Sequence, residues 1–283
     1  MQCNVPTGVK WILAMVLACG FVSRTLYADL TVIQLANEGV ILSDGESAQV
    51  MIDGLVDEPY SVYGGLPPEI AALYFQAAGP FSGIDLALAS HQHHDHNQPA
   101  SACKFLQKST ETLFVSSDQV VDLMREKCRD FVLTSPRIRI IDPQYGEPVV
   151  IEEEGVKVTV FLLSHGVGKY EKLKNFGQLV EIGGMRVLHV GDAEMDPEDF
   201  ARAGVDKMDI DVALIPFWYF RPGPGTDDIV GKYLNAPYKI AVHIPPGEML
   251  EVKEYLTAEF PRVLILENAI DQARFSPEAP PPP

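Results

Sequence analysis

Short apolar runs punctuated by turn residues organise the chain from residue 29 onward. Leu30 to Leu35, Gly39 to Leu42 and Ala48 to Asp53 are rich in β-branched residues, and Asp44-Gly45 separates the last two. They predict a strand meander. Pro67-Pro68 opens a helix over Glu69 to Ala77, because a proline in the first turn gives up only an N–H that has no helical partner there. Ile84 to Ala89, apolar apart from Asp85, reads as a buried strand that ends at a cluster of histidines, so this cluster sits at the strand's carboxyl end. A helix from Ala100 to Lys108, a strand from Thr112 to Val115 and a helix capped by Ser117 and running through Arg125, with Cys128 near its end, complete an α/β alternation.

The second half repeats the theme. Pro148 to Glu152, Val156 to Leu163, Phe176 to Ile182 and Met185 to Val190 read as strands, with Gly183-Gly184 as a tight turn. Asp211 to Pro216 and Tyr238 to Val242 are later strands, with helices over Asp227 to Leu234 and Glu248 to Phe260. The hairpin from Gly39 to Gly54 and the one from Gln178 to Asp192 each close on an aspartate beside a glycine. An internal duplication follows, in a fold of two βα halves.

Composition adds bounds. The 283 residues, 47% hydrophobic and 22% charged, suit one α/β domain with a full core. The formal net charge of −17 would repel a nucleic-acid backbone, which leaves a small molecule as the expected partner. Lys10, the apolar stretch Trp11 to Ala18 and then Leu26-Tyr27-Ala28 read as a signal peptide over residues 1–28, giving an exported, periplasmic or extracellular protein with no membrane span in its mature chain. A lipid anchor at Cys19, in Val16-Leu17-Ala18-Cys19-Gly20, is the alternative processing. The mature domain would cover 29–274, followed by a proline-rich disordered tail at 275–283. Cleavage leaves Cys103 and Cys128, either bonded to each other or buried as two thiols on neighbouring helices.

The candidate chemistry lies in His91-Gln92-His93-His94-Asp95-His96. In an extended segment His91, His93 and Asp95 would share one side with His96 offset, which makes two adjacent metal sites cheap to build. Imidazole with carboxylate suits zinc, manganese or iron. The spacing His-x-His-x-Asp-His resembles the signature of the metallo-β-lactamase superfamily. A lone histidine after a strand, an aspartate in a Gly-Asp turn and a last histidine after a late strand are matched by His165, Asp192 and His243, in that order. The resemblance implies a four-layer αβ/βα sandwich. It also implies one metal held by His91, His93 and His165, a second by Asp95, His96 and His243, and Asp192 bridging both. His94 and His189 have no ligand role in that pattern.

Two divalent cations, zinc first with manganese or iron open, would turn a bridging water into hydroxide, and Asp95 would orient it or relay its proton. The expectation is a metal-dependent hydrolase of an ester, lactone or phosphodiester bond, in the lactonase and phosphodiesterase-like branch, because Asp192 stands where many lactamases carry cysteine. The alternative is a non-hydrolytic metal-binding protein or an iron-dependent oxygenase on the same fold. Trp218, Tyr219 and Arg221 follow a strand in the half that supplies Asp192 and His243. They would either wall the substrate pocket or close the core.

Overall fold

The computed structural model describes residues 29–153, 155–223 and 228–277. The proposed leader, residues 1–28, lies outside them, as do 278–283 of the proposed tail. In chain order the strands are β1 Leu30–Gln34, β2 Val40–Ser43, β3 Gln49–Ile52, β4 Leu86–Leu88, β5 Leu113–Ser116, β6 Ile138–Ile140, β7 Val149–Glu153, β8 Val156–Ser164, β9 Lys174–Ile182, β10 Met185–His189, β11 Val212–Pro216, β12 Tyr238–Val242, β13 Val263–Ile265 and β14 Gln272–Phe275. The α-helices are α1 Pro68–Tyr74, α2 Pro99–Lys108, α3 Asp118–Thr134, α4 Pro197–Ala203 and α5 Met249–Glu259.

The strands form two seven-stranded sheets, ordered β14-β1-β2-β3-β4-β5-β6 and β13-β12-β11-β10-β9-β8-β7. Each sheet has an antiparallel meander on one side and a parallel set on the other. β3 to β6 run parallel in the first sheet and β10 to β13 in the second. The two halves therefore share one connectivity, as the repeated hairpin predicted.

Three hydrophobic clusters show how the layers stack. One joins the inner faces of both sheets, with Val50 and Leu88 meeting Val158, Val180 and Leu214. Another packs α2 and α3 on the outside of the first sheet, and the third packs α4 and α5 on the outside of the second. Three apolar interfaces separate four layers, giving an αβ/βα sandwich. The side-chain alternation along β8 places Val156, Val158 and Val160 in the central cluster and Phe161 and Leu163 in the outer one.

Several elements depart from their sequence reading. The Ser117 hydroxyl caps α3 by accepting from the Val120 N–H at 3.3 Å, but the helix continues past Arg125 to Thr134, with a break at Cys128. At this break Cys128 is disulfide-bonded to Cys103 of α2, with Cα atoms 6.1 Å apart. β6, α4, β13 and β14 were not anticipated. In place of the helix from Asp227 to Leu234, whose first residue lies outside the described set, one π-helical turn spans Ile229–Tyr233. Phe275, placed in the tail on composition, ends β14, which pairs with β1, and is buried in the central core. The domain boundary accordingly moves past it.

Candidate metal centre

The functional side chains gather at the carboxyl ends of the parallel strands, where loops leave the sheets. The histidine run is not extended, as the sequence reading supposed. After His91 the chain bends, and His96 N and Asn97 N both donate to the His93 carbonyl, at 3.0 and 2.9 Å. This turn leaves His91 and His93 together and carries Asp95 and His96 to a second position. The expected row through Asp95 is broken because the i→i+4 hydrogen bond rotates the later side chains away from the earlier ones.

Two clusters result. His91, His93, His165 and Asp192 form one, and Glu38, His96, Asp192 and His243 form the other, with the donor atoms of each within 4.8 Å of one another. Asp192 belongs to both. Its Oδ2 lies 3.7 Å from His91 Nε2 and 3.6 Å from His165 Nε2, while its Oδ1 lies 3.3 Å from His96 Nε2 and 3.4 Å from His243 Nε2. Asp95 Oδ2 stands 3.3 Å from His243 Nε2 and 3.9 Å from His96 Nε2, so all seven sequence-proposed ligands converge. Glu38 is an addition that the sequence reading missed.

The donor set fits cations. Ligand atoms around a tetrahedral ion with bonds of ~2.1 Å lie roughly 3.4 Å apart, close to the spacings found here. His91 Nε2 faces His93 Nδ1 at 3.0 Å and His96 Nε2 faces His243 Nε2 at 3.2 Å. The hydrogen-bond network assigns a proton to the far nitrogen of both His91 and His96. The inward nitrogen of His91 therefore presents a lone pair toward the cluster, whereas the surrounding carboxylates Asp192 and Asp53 hold His96 in its protonated form until a cation displaces the proton. Asp192 Oδ1, both ring nitrogens of His165 and both oxygens of Glu38 are buried without a hydrogen-bond partner. Buried polar atoms rarely go unpaired unless an ion or water is their partner.

One carboxylate beneath the clusters orients both. Asp53, fully buried, accepts from the Ser90 N–H at 2.6 Å and the Ser90 hydroxyl at 2.5 Å, and lies 2.7 Å from His96 Nδ1. The Ser90 oxygen is in turn 3.0 Å from His91 Nδ1. Asp53 thus fixes the ring tautomer of a histidine in each cluster. Burial acts to raise the Asp53 carboxyl, but His96, His189 and Ser90 together outweigh it and hold it below the usual range. His91 is pushed well down by burial and by His96, which favours the neutral imidazole a metal needs.

The second half supplies its ligands from separate strand ends. Gly191 holds a left-handed φ of 57°, and a Cβ there would meet Asn175 Oδ1 at 2.3 Å, so only glycine fits. Asn175 fixes the turn, accepting from Asp192 N at 3.1 Å and donating to the Val190 carbonyl at 3.0 Å. His243 also adopts left-handed backbone, φ 63°. That conformation is uncommon for a non-glycine residue and turns its ring back into the cluster.

Aromatic rings border the site. Tyr63 and Trp218 meet His243 edge-on at 4.6 and 4.9 Å, and Tyr170 lies 4.9 Å from His165. Of the three residues considered for the pocket, Trp218 contacts a ligand histidine directly. Tyr219 is fully buried and its hydroxyl donates to the Ala193 carbonyl at 2.5 Å, which makes it a core residue. Arg221 pairs with Glu248 and lies over the Phe217 ring. The short helical turn Phe217–Phe220 rotates these successive side chains apart, so they cannot form one wall. His94 is exposed, outside both clusters, against Tyr60.

The model of the beta-lactamase superfamily domain matches residues 50–266, and the chain belongs to the metallo-β-lactamase superfamily. Among solved structures, the metallo hydrolase Igni18 from the archaeon Ignicoccus hospitalis has a TM-score of 0.56 at 16% identity, covering 88% of this chain and 99% of that one. Zn(2+)-bound PqqB from Methylobacterium extorquens has a TM-score of 0.56 at 13% identity, covering 83% and 86%. CmlA, a diiron β-hydroxylase from Streptomyces venezuelae, has a TM-score of 0.54 at 12% identity, covering 88% and 54%. Similarity at this level speaks for the fold. No curated protein sequence matches the chain.

Proposed function

We propose that the protein is a metal-dependent hydrolase that uses two divalent cations, zinc first with manganese or iron as alternatives, to cleave an ester-, lactone- or phosphodiester-type bond in a small molecule. The division of the Asp192 oxygens between the two clusters carries this reading. When bound, a pair of cations acidifies water and polarises the substrate oxygen, so no serine or cysteine nucleophile is required.

The chain's own residues supply the rest. Asp95 Oδ2 accepts from Asn37 Nδ2 at 3.3 Å and faces His243. Burial would raise this carboxyl, but the His243 contact and the His96 charge lower it, so it stays ionised and can take a proton at Oδ2 and return it to a leaving group. Tyr63, Tyr170 and Trp218 limit water at the mouth and offer flat faces to apolar parts of a substrate. Aspartate at the shared position supports the lactonase and phosphodiesterase-like branch.

Export belongs to the same reading. It is supported by the leader-like residues 1–28 and by the Cys103–Cys128 bond, a kind that persists in oxidising compartments. No helix among the described residues is long and apolar enough to cross a membrane.

Elemental analysis and turnover of lactone, phosphodiester and thioester substrates by the purified protein test the reading together. Two ions and hydrolysis on this panel are expected. A single iron, with no hydrolysis of any panel member, would point to the oxygenase instead.

A further inference from the structure

Glu38 belongs to neither the histidine motif nor the ligand pattern that the family resemblance implies, yet it sits beside the second cluster. It lies on the β1–β2 turn and is fully buried. The turn is pinned: Leu35 N donates to the Gly39 carbonyl at 2.7 Å and Gly39 N to the Ala36 carbonyl at 2.8 Å. A Cβ at Gly39 would meet the Asp53 carbonyl at 2.7 Å. The backbone therefore fits closely against the loop that carries Asp53, which leaves the Glu38 side chain little room to withdraw.

The two carboxylate oxygens have different neighbours. Oε1 is 3.2 Å from His189 Nε2. His189 Nδ1 accepts from the Gly191 N–H at 3.1 Å, which assigns the ring proton to Nε2, on the Glu38 side. Oε2 is 3.9 Å from His96 Nε2, inside the cluster with Asp192 and His243. Neither oxygen makes a well-aligned hydrogen bond, a costly state for a buried carboxylate without a cation. A ligating carboxylate braced by a histidine on its other oxygen is a recurrent arrangement at metal sites.

Resting on the two-cation reading, we propose that Glu38 is a direct ligand of the cation held by His96 and His243. That site then has three carboxylates, Glu38, Asp95 and Asp192, against two imidazoles. The other has three imidazoles and one carboxylate oxygen. Oxygen donors favour manganese or ferrous iron relative to zinc, and imidazoles suit zinc, so the two sites prefer different ions. The chain is a mixed-metal binder by construction, with the harder ion beside Glu38.

Manganese titration of the metal-free full chain, followed by electron paramagnetic resonance and elemental analysis, tests this. The parent should bind two Mn(II). Glu38→Gln, which keeps side-chain volume, should weaken the tighter of these, the Mn(II) beside His96 and His243, by about 10-fold or more. Zn(II) binding to the His91, His93 and His165 cluster should be unchanged, which also shows that the variant is folded. If Glu38→Gln does not fold, Glu38→Asp keeps the charge but shortens the reach, and the same selective loss of the Mn(II) beside His96 and His243 is expected. Two Mn(II) at parental affinity in whichever variant folds would overturn the proposal. A parent that binds only one ion of any metal would instead overturn the two-cation reading beneath it.

Discussion

In the first half of the molecule four candidate ligands leave a single turn after β4: His91, His93, Asp95 and His96. In the second half three arrive on separate strand ends: His165 after β8, Asp192 after β10 and His243 after β12. The repeated hairpins differ in the same spirit. Asp53 follows directly on Ile52, which pairs with Leu88, whereas Asp192 follows three residues after His189, which pairs with Leu214. The shorter exit leaves Asp53 beneath the clusters, hydrogen-bonded to Ser90 and His96. The longer exit through Gly191 lifts Asp192 between them. One duplicated hairpin thus yields a supporting carboxylate in one half and a carboxylate common to both clusters in the other.

Exchanging or deleting these parts puts the comparison under strain. The largest effect is expected at Asp192. Asp192→Ala removes the only proposed ligand common to both cations and leaves their repulsion less compensated. Metal content should fall at both sites and turnover by about 10³-fold, the scale of losing a key transition-state stabiliser. His165→Ala should empty one site only. Elemental analysis and turnover on the same preparations separate the two outcomes; equal losses from both variants would contradict the difference between them.

Asp53→Ala comes next. It leaves His96 Nδ1 and the Ser90 N–H without their acceptor, and losing one partner of a buried charged pair costs about 3–5 kcal/mol. Affinity should drop about 10–100-fold at both sites, because both His91 and His96 lose their orientation. Denaturant unfolding and metal titration measure the two effects. Loss confined to the His96 cluster would mean that the relay through Ser90 does not operate.

The first half is also stapled, by Cys103–Cys128 across 25 residues of sequence. Replacing both cysteines by serine should cost about 3 kcal/mol, read as a lower unfolding midpoint, with metal content unchanged. A change in metal content would show that the outer helices position the histidine turn.

A smaller effect separates Ile52 from its counterpart His189. Burial pushes His189 down to about 4 from its ordinary 6.5. Between those values the unfolded chain binds a proton that the folded chain excludes, so stability falls as pH drops through 6.5 and is unpenalised above it. At pH 5 the loss should be about 2 kcal/mol for the metal-free protein. His189→Gln should remove that part of the slope, checked by unfolding at pH 7 and pH 5. An unchanged slope would place the sensitivity in another group.

His91, His93, Asp95 and His96 were legible because four potential ligands within six residues is a local signal, whereas His165, Asp192 and His243 were reached through the family resemblance that this run carries. The two βα halves were legible because buried parallel strands such as Val212–Pro216 are apolar throughout, and the resemblance added their stacking into four layers. What was missed depends on distance in sequence. Glu38 reads as an ordinary turn residue until the fold brings it to His96 and His189, and Asp53 until it meets Ser90. The contact of Asn37 with Asp95 spans 58 residues. β6 has two exposed residues in three and β13 none that is fully buried, so neither shows the alternation that marks a half-buried strand. Tyr219 and Arg221 were grouped with Trp218 by adjacency, and the helical turn separates them.

In the proposed reading Asp192 is shared between two cations, one on each of its oxygens. A crystal structure of the metal-loaded protein, with ions located by anomalous scattering, measures this directly. Two peaks are expected, flanking the Asp192 carboxylate. The first should lie on the Oδ2 side with His91, His93 and His165, the second on the Oδ1 side with His96 and His243. A single ion, or two ions with Asp192 bound to only one of them, would contradict it.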